Sequence, residues 1–168
     1  IYDRSIARIE EATFSVDGRV YTLPQIEARM LEAGSGDVRA LFATSRGALG
    51  TPRLAAEPVR PGTLERQLAT AAVDALNNPR LLRIDHAGRR ILVWQVMLTR
   101  KEDFLNYLRT RRRVANPELF SVLLDLASPE RRRALQSAVG YTFHVVPFDR
   151  AVNNWSAGTV SPDRPIAP

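Results

Sequence analysis

The chain holds two imidazoles, His86 and His144, and no cysteine. Thiolate catalysis, disulfides, zinc–thiolate sites and iron–sulfur clusters are therefore excluded for this chain. The nucleophile left to consider is a hydroxyl. Ser45 lies in a polar loop directly after an apolar run, with Thr51 close behind, and loops in that setting carry functional side chains. His144 falls in a strand-like stretch ahead of Asp149, so a Ser45–His144–Asp149 triad is one arrangement these residue types allow, subject to geometry. The plainer account makes His144 a half-buried sheet residue, Asp149 a turn cap and Ser45 a partner of its own loop backbone. His86 sits in a hairpin turn between Asp85 and Gly88, which suits a solvent-exposed role. Two separated histidines supply no His-x₃-His spacing, so no metal site is expected. Gly34-Ser35-Gly36 lacks the third glycine and the lysine of a phosphate loop, so no nucleotide or other cofactor is expected.

Charge is the second feature with chemical content. The chain carries a formal charge of +6, and Lys101 is the only lysine among 24 basic residues. Such an arginine-rich surface favours polyanions, with guanidinium forks that match phosphate and sulfate bidentately. The densest runs are Arg109 with Arg111-Arg112-Arg113, and Arg131-Arg132-Arg133. Cations at a helix C-terminus are also favoured by the macrodipole, by roughly 0.3–1 kcal/mol each, and this needs no ligand. Acidic residues are interleaved with the arginines, so nucleic acid is not the expected partner; an unknown protein or an anionic ligand is. Composition does not address the oligomeric state.

At 168 residues and 45% hydrophobic the chain fits a single domain, 1–168, with an irregular tail over 154–168 rich in proline. The apolar stretches Ile91–Trp94 and Val122–Leu124 are far short of the roughly 20 residues a membrane span needs, so no transmembrane segment is expected. Ile1 in place of methionine points to an upstream segment removed or omitted, which favours a periplasmic or secreted location over the cytoplasm.

The elements that must position these residues follow from turn, cap and periodicity signals. Thr13–Tyr21 reads as a hairpin about Asp17-Gly18, followed by a helix capped at Thr22 and stopped by Gly34. Val38–Ala43 reads as a buried strand, and Ser45–Gly62 as a long glycine- and proline-rich loop. Thr63 caps a helix whose apolar positions Leu64, Leu68, Ala72 and Leu76 recur every four residues. Leu81–Ile84 and Ile91–Val96 form a second hairpin, and Thr99 with Glu102 forms a capping box for a helix through Phe104 and Leu108. Asn116-Pro117 and Ser128-Pro129 start two more helices, and Tyr141–Val146 alternates like a strand. The expected fold is α/β of the α+β kind: a small mixed or antiparallel sheet with hairpins, packed against about five helices.

Four stretches in order resemble a bacterial family catalogued as domain of unknown function 547. They are Leu23-Pro24-Gln25-Ile26-Glu27; Asp37-Val38-Arg39 through Phe42-Ala43 to Thr51-Pro52-Arg53-Leu54; Leu64-Glu65-Arg66-Gln67-Leu68 with Asn78-Pro79-Arg80; and Glu102-Asp103-Phe104 with Val146-Pro147-Phe148-Asp149-Arg150-Ala151-Val152-Asn153. Members of that family look like distant relatives of papain-like and transglutaminase-like thiol hydrolases, in which a histidine activates a cysteine. Here Leu41 stands at the family's histidine, and Arg46 and Thr51 stand at its cysteines. The resemblance carries Arg39, Arg46, Thr51 and Asn153 over as candidate binding residues. It implies a degenerate relative, leaning away from catalysis, that acts as a binding or interaction module. A hydrolase built on Ser45 and His144, and an arginine-mediated polyanion binder, are the alternatives.

Overall fold

The computed structural model describes residues 11–33 and 36–151. Asn153 and the irregular tail 154–168 lie outside the described residues. Strands β1 (Thr13–Val16) and β2 (Arg19–Thr22) form an antiparallel hairpin. Asp17 and Gly18 both take positive φ, 49° and 70°, which is the geometry the Asp-Gly turn calls for. Helix α1 (Leu23–Ala33) follows at once, and Gln25 Oε1 accepts the Thr22 N–H at 2.8 Å, half of a capping box.

A second sheet has the order β3 (Leu82–Asp85), β4 (Arg90–Val93), β5 (Thr142–Val145), with β4 antiparallel to β3 and parallel to β5. The remaining helices are α2 (Arg39–Phe42), α3 (Leu64–Asn77), α4 (Gln95–Thr99), α5 (Lys101–Arg111), α6 (Leu119–Leu126) and α7 (Pro129–Gln136). The α+β character is as expected, with seven helices among the described residues.

The two additional helices correct the sequence reading. Val38–Ala43 is not a strand: residues Arg39–Phe42 are helical. Val38, Arg39, Ala40, Leu41 and Phe42 are all buried, Arg39 through its ion pairs, so no exposed face supplies a period to separate strand from helix. Its composition settles the matter locally, since alanine, leucine and arginine favour helix and the Arg39 N–H bonds Asp37 Oδ1 at 3.1 Å. Likewise β4 stops at Val93, because Trp94 accepts the Met97 N–H and starts α4.

Thr99 is therefore the last residue of α4, where its hydroxyl turns back to the Val96 carbonyl, and the expected Thr99–Glu102 capping box does not form. Thr63 stands before α3, but its hydroxyl donates to Gln67 Oε1 at 2.9 Å rather than capping a backbone N–H. Pro117 lies two residues before α6 rather than at its first position, and extended Glu118 stands at the N-cap without a side-chain capping bond. Ser128 accepts the Arg131 N–H at 3.2 Å with Pro129 at the first helical position, as the sequence indicated.

The core joins α2, α3, α5 and α6 to the inner face of β3 and β4. Phe42 sits at its centre, with ring centroids 5.9 Å from both Trp94 and Phe104. Short α2 thus acts as a buried pin from which the following loop, residues 43–60, is hung.

Candidate functional site

The loop after α2 is anchored just before its start and again at residues 49–50. At its start, Arg39 is 6% and Asp37 4% exposed. Arg39 donates to both oxygens of Asp37 (Nε–Oδ1 2.9 Å, Nη2–Oδ2 2.6 Å) and to both oxygens of Glu65 in the first turn of α3 (2.7 and 2.9 Å). Arg111 reaches Asp37 at 3.4 Å from the end of α5. Burial pushes the Asp37 carboxyl up, but hydrogen bonds and charge from Arg39, aided by Arg111, hold it below the usual aspartate range. Arg39, a candidate binding residue by resemblance, is thus occupied in tying α2 to α3 and α5.

Further along the loop the segment 149–151 lies against residues 49–50. The Leu49 N–H donates to the Ala151 carbonyl and the Gly50 N–H to the Asp149 carbonyl, each at 2.9 Å. The approach is closer than a side chain allows: a Cβ on Gly50 would lie 2.8 Å from the Asp149 nitrogen and 3.0 Å from its carbonyl oxygen. Two of the stretches that carry the family resemblance, the loop and the closing segment, are therefore neighbours in space. The Asp149 carboxylate accepts from Arg80 Nε at 3.1 Å and from the Ala151 N–H at 3.0 Å.

Between these anchors stands a hydroxyl pair. Ser45 Oγ lies 3.3 Å from Thr51 Oγ1, and Thr51, 5% exposed, donates to the Ala48 carbonyl at 2.7 Å. One hydroxyl has one proton, so the Ser45 proton goes to Thr51, while Ser45 Oγ accepts the Gly47 N–H at 3.2 Å. A nucleophilic serine would hand its proton to a base. His144 is exposed on β5, with Nε2 3.1 Å from Thr142 Oγ1, and no hydrogen bond joins it to Ser45 or Asp149 among the described residues. His86 bonds the Tyr141 hydroxyl at 3.2 Å on the surface. Arg46 donates to Glu27 of α1 at 3.1 Å. Leu41, which the resemblance sets against the family's histidine, is 4% exposed in the core.

Sequence reasoning missed the groove beside this loop. A cavity of about 340 Å³ opens between α3 and the extended residues 53–59. Leu54 and Val59 wall it, 74% and 49% exposed, while Arg66, Thr70 and Asp74 form a stripe along its helical floor. Gln67 holds the outer wall, donating to the Pro58 carbonyl and accepting the Arg60 N–H. Neither Arg66 nor Asp74 forms an ion pair among the described residues. The proline-rich loop and the four-residue period were each visible in the sequence; that they face one another was not.

The two arginine runs also meet. Arg112 pairs with Asp125 at 2.9 Å and Arg132 donates to the Leu124 carbonyl at 2.8 Å, so both reach consecutive residues at the end of α6. Arg131 is turned inward to the Leu82 carbonyl, and burial lowers its basicity. Among the described residues no cluster of His, Asp or Glu could hold a metal ion, and no helix is long and apolar enough to cross a membrane. No family model, curated protein or solved structure matches the chain.

Proposed function

We propose that this protein is a binding module, a non-catalytic relative of the thiol-hydrolase-like family that it resembles. The observation that carries the reading is the set of hydrogen-bond partners at the loop. Where the family's nucleophile would stand, Thr51 is buried and donates to a backbone carbonyl, and the serine beside it has Thr51, not a base, as its side-chain partner. The groove next to this loop supplies the binding surface. Its floor from Arg66 to Asn78 is about 18 Å long at 1.5 Å per residue, enough for about five residues of an extended segment. Apolar walls with a cationic and an anionic group on the floor suit an amphipathic ligand.

Anilinonaphthalene sulfonate, an apolar anion, serves as the probe. Its fluorescence should rise on mixing, and Thr70→Trp, which fills the groove from an exposed helix position, should abolish the rise. Labelling of Ser45 by a fluorophosphonate, or dye binding unchanged in Thr70→Trp, would overturn the reading.

A second reading, arginine-mediated polyanion binding, is favoured by the meeting of Arg112 and Arg132 at the end of α6. It predicts retention on heparin that is released only at high salt. Elution with the bulk proteins at low salt removes it.

A further inference from the structure

The floor of the groove beside α3 is polarised from end to end. Arg66, Thr70 and Asp74 stand at four-residue intervals, so they share one row of the helix, about 12 Å from first to last. All three are exposed, and neither Arg66 nor Asp74 has an ion-pair partner among the described residues. The helix adds to this polarity in the same sense. Arg66 is in the first turn of α3, at the positive end of the macrodipole, and Asp74 is in the last turn, at the negative end.

Between the two charges the surface is apolar. Ala71 and Ala75 lie along the floor, and Leu54, Ala55 and Val59 face them from the wall. The wall also carries Arg53, again without an ion pair among the described residues, so the lining holds two cations and one anion. Its main chain is open as well. Among the described residues the N–H groups of Leu54, Ala55, Ala56 and Glu57 donate no hydrogen bond, which leaves donors beside the groove for the carbonyls of a ligand.

We propose that the groove takes a short apolar peptide with free termini, about four residues long, its carboxylate on Arg66 and its α-ammonium on Asp74. Four extended residues at about 3.3 Å each span about 13 Å, which matches the separation of the two floor charges. The guanidinium fork of Arg66 suits a terminal carboxylate, which it can hold with two bonds. A fatty acid would satisfy Arg66 but leave Asp74 against hydrocarbon and the wall's N–H groups without acceptors. Because Arg53 makes the lining net positive, the carboxylate is the end held more tightly. The volume of about 340 Å³ is at the small end of ligand clefts and fits a peptide of this length. The assignment rests on the groove being the binding surface, as proposed above.

The test titrates a free tetrapeptide of alternating alanine and valine into the full chain, isotope-labelled, and follows the amide resonances of Thr70 and Ala71. Saturable shifts are expected. Amidation of the peptide's C-terminus should weaken binding about tenfold, and acetylation of its N-terminus about threefold. In Arg66→Gln the free and amidated peptides should bind alike, and in Asp74→Asn the free and acetylated ones should. An amidation effect that persists in Arg66→Gln would place the carboxylate elsewhere. Equal binding of the free and doubly blocked peptides would assign the groove to an internal segment of a longer chain, and tighter binding of decanoate would assign it to an acyl chain. Each of these results overturns the proposal, as does absence of peptide binding. If the peptide fails while the sulfonate dye still binds and Thr70→Trp abolishes the dye's signal, the free-terminus assignment alone falls; if the dye fails as well, the groove falls with it.

Discussion

Replacing Asp37 by asparagine removes a charge from the most buried polar network in the fold while keeping the side chain's shape. In the parent protein Asp37 accepts two guanidinium bonds and one backbone bond from Arg39, and faces Arg111. In the variant Arg39, at 6% exposed, keeps an amide acceptor at position 37 but only Glu65 as an anionic pairing partner, whose side chain is 78% exposed and screened by water. Stripping one partner from a buried pair costs about 3–5 kcal/mol. The surviving Glu65 contact places Asp37→Asn at the lower end, about 3 kcal/mol. Glu65→Gln, at the solvent edge, should cost about 1 kcal/mol or less. With a urea m-value of about 1–3 kcal/mol/M, the Asp37→Asn midpoint should fall by at least about 1 M at pH 7.

The pH dependence is a separate check on the same reasoning. A folded-state pKa below the ordinary aspartate value of about 4 gives stability that is present above that value and is lost as pH falls through the folded pKa. The gap between the parent and Asp37→Asn should therefore be widest near neutrality and narrow below about pH 4. Urea titrations followed by circular dichroism at pH 7, 5 and 3 measure it. Equal midpoint shifts for Asp37→Asn and Glu65→Gln, or a gap that does not change with pH, would refute the assignment of the network as the anchor of α2.

Gly50→Ala places a methyl 2.8 Å from the Asp149 nitrogen, so the strap 149–151 must move; we expect a loss of about 1–3 kcal/mol and a lost 49–151 bridge in amide exchange spectra, with Ala48→Gly as the control for loop flexibility. Arg131→Met removes a desolvated cation whose Nε has no partner among the described residues, so thermal stability should hold within about 1 kcal/mol or rise. A loss above about 2 kcal/mol would show that the guanidinium holds a counter-anion. Leu41→His puts a polar ring into the core beside Phe42 and should cost about 2–5 kcal/mol without creating esterase activity towards nitrophenyl acetate; turnover in that variant would mean that the scaffold is still poised for catalysis.

The features legible in the sequence are those decided within a few residues. Asp17-Gly18 turns as a hairpin because both residues tolerate positive φ, Ser128-Pro129 starts α7 through a bond to Arg131 three residues on, and Leu64–Leu76 repeats at the spacing of one helix face. The loop around Ser45 also stood out, from its glycines, prolines and hydroxyls. Where burial covers every side of a segment, periodicity fails as a guide: Val38–Phe42 is buried throughout, so no period separated strand from helix, and α4 took Thr99 away from the capping box. The site depended on tertiary structure in the same way. A serine's role follows from the partners of its hydroxyl, and Ser45 Oγ lies 3.3 Å from Thr51 Oγ1, brought near by a loop anchored before its start at Asp37–Arg39–Glu65 and at residues 49–50 by the Asp149–Ala151 strap. Residue types alone allowed a triad; long-range packing set His144 exposed on β5, turned the Asp149 carboxylate to Arg80, and opened the groove between α3 and residues 53–59.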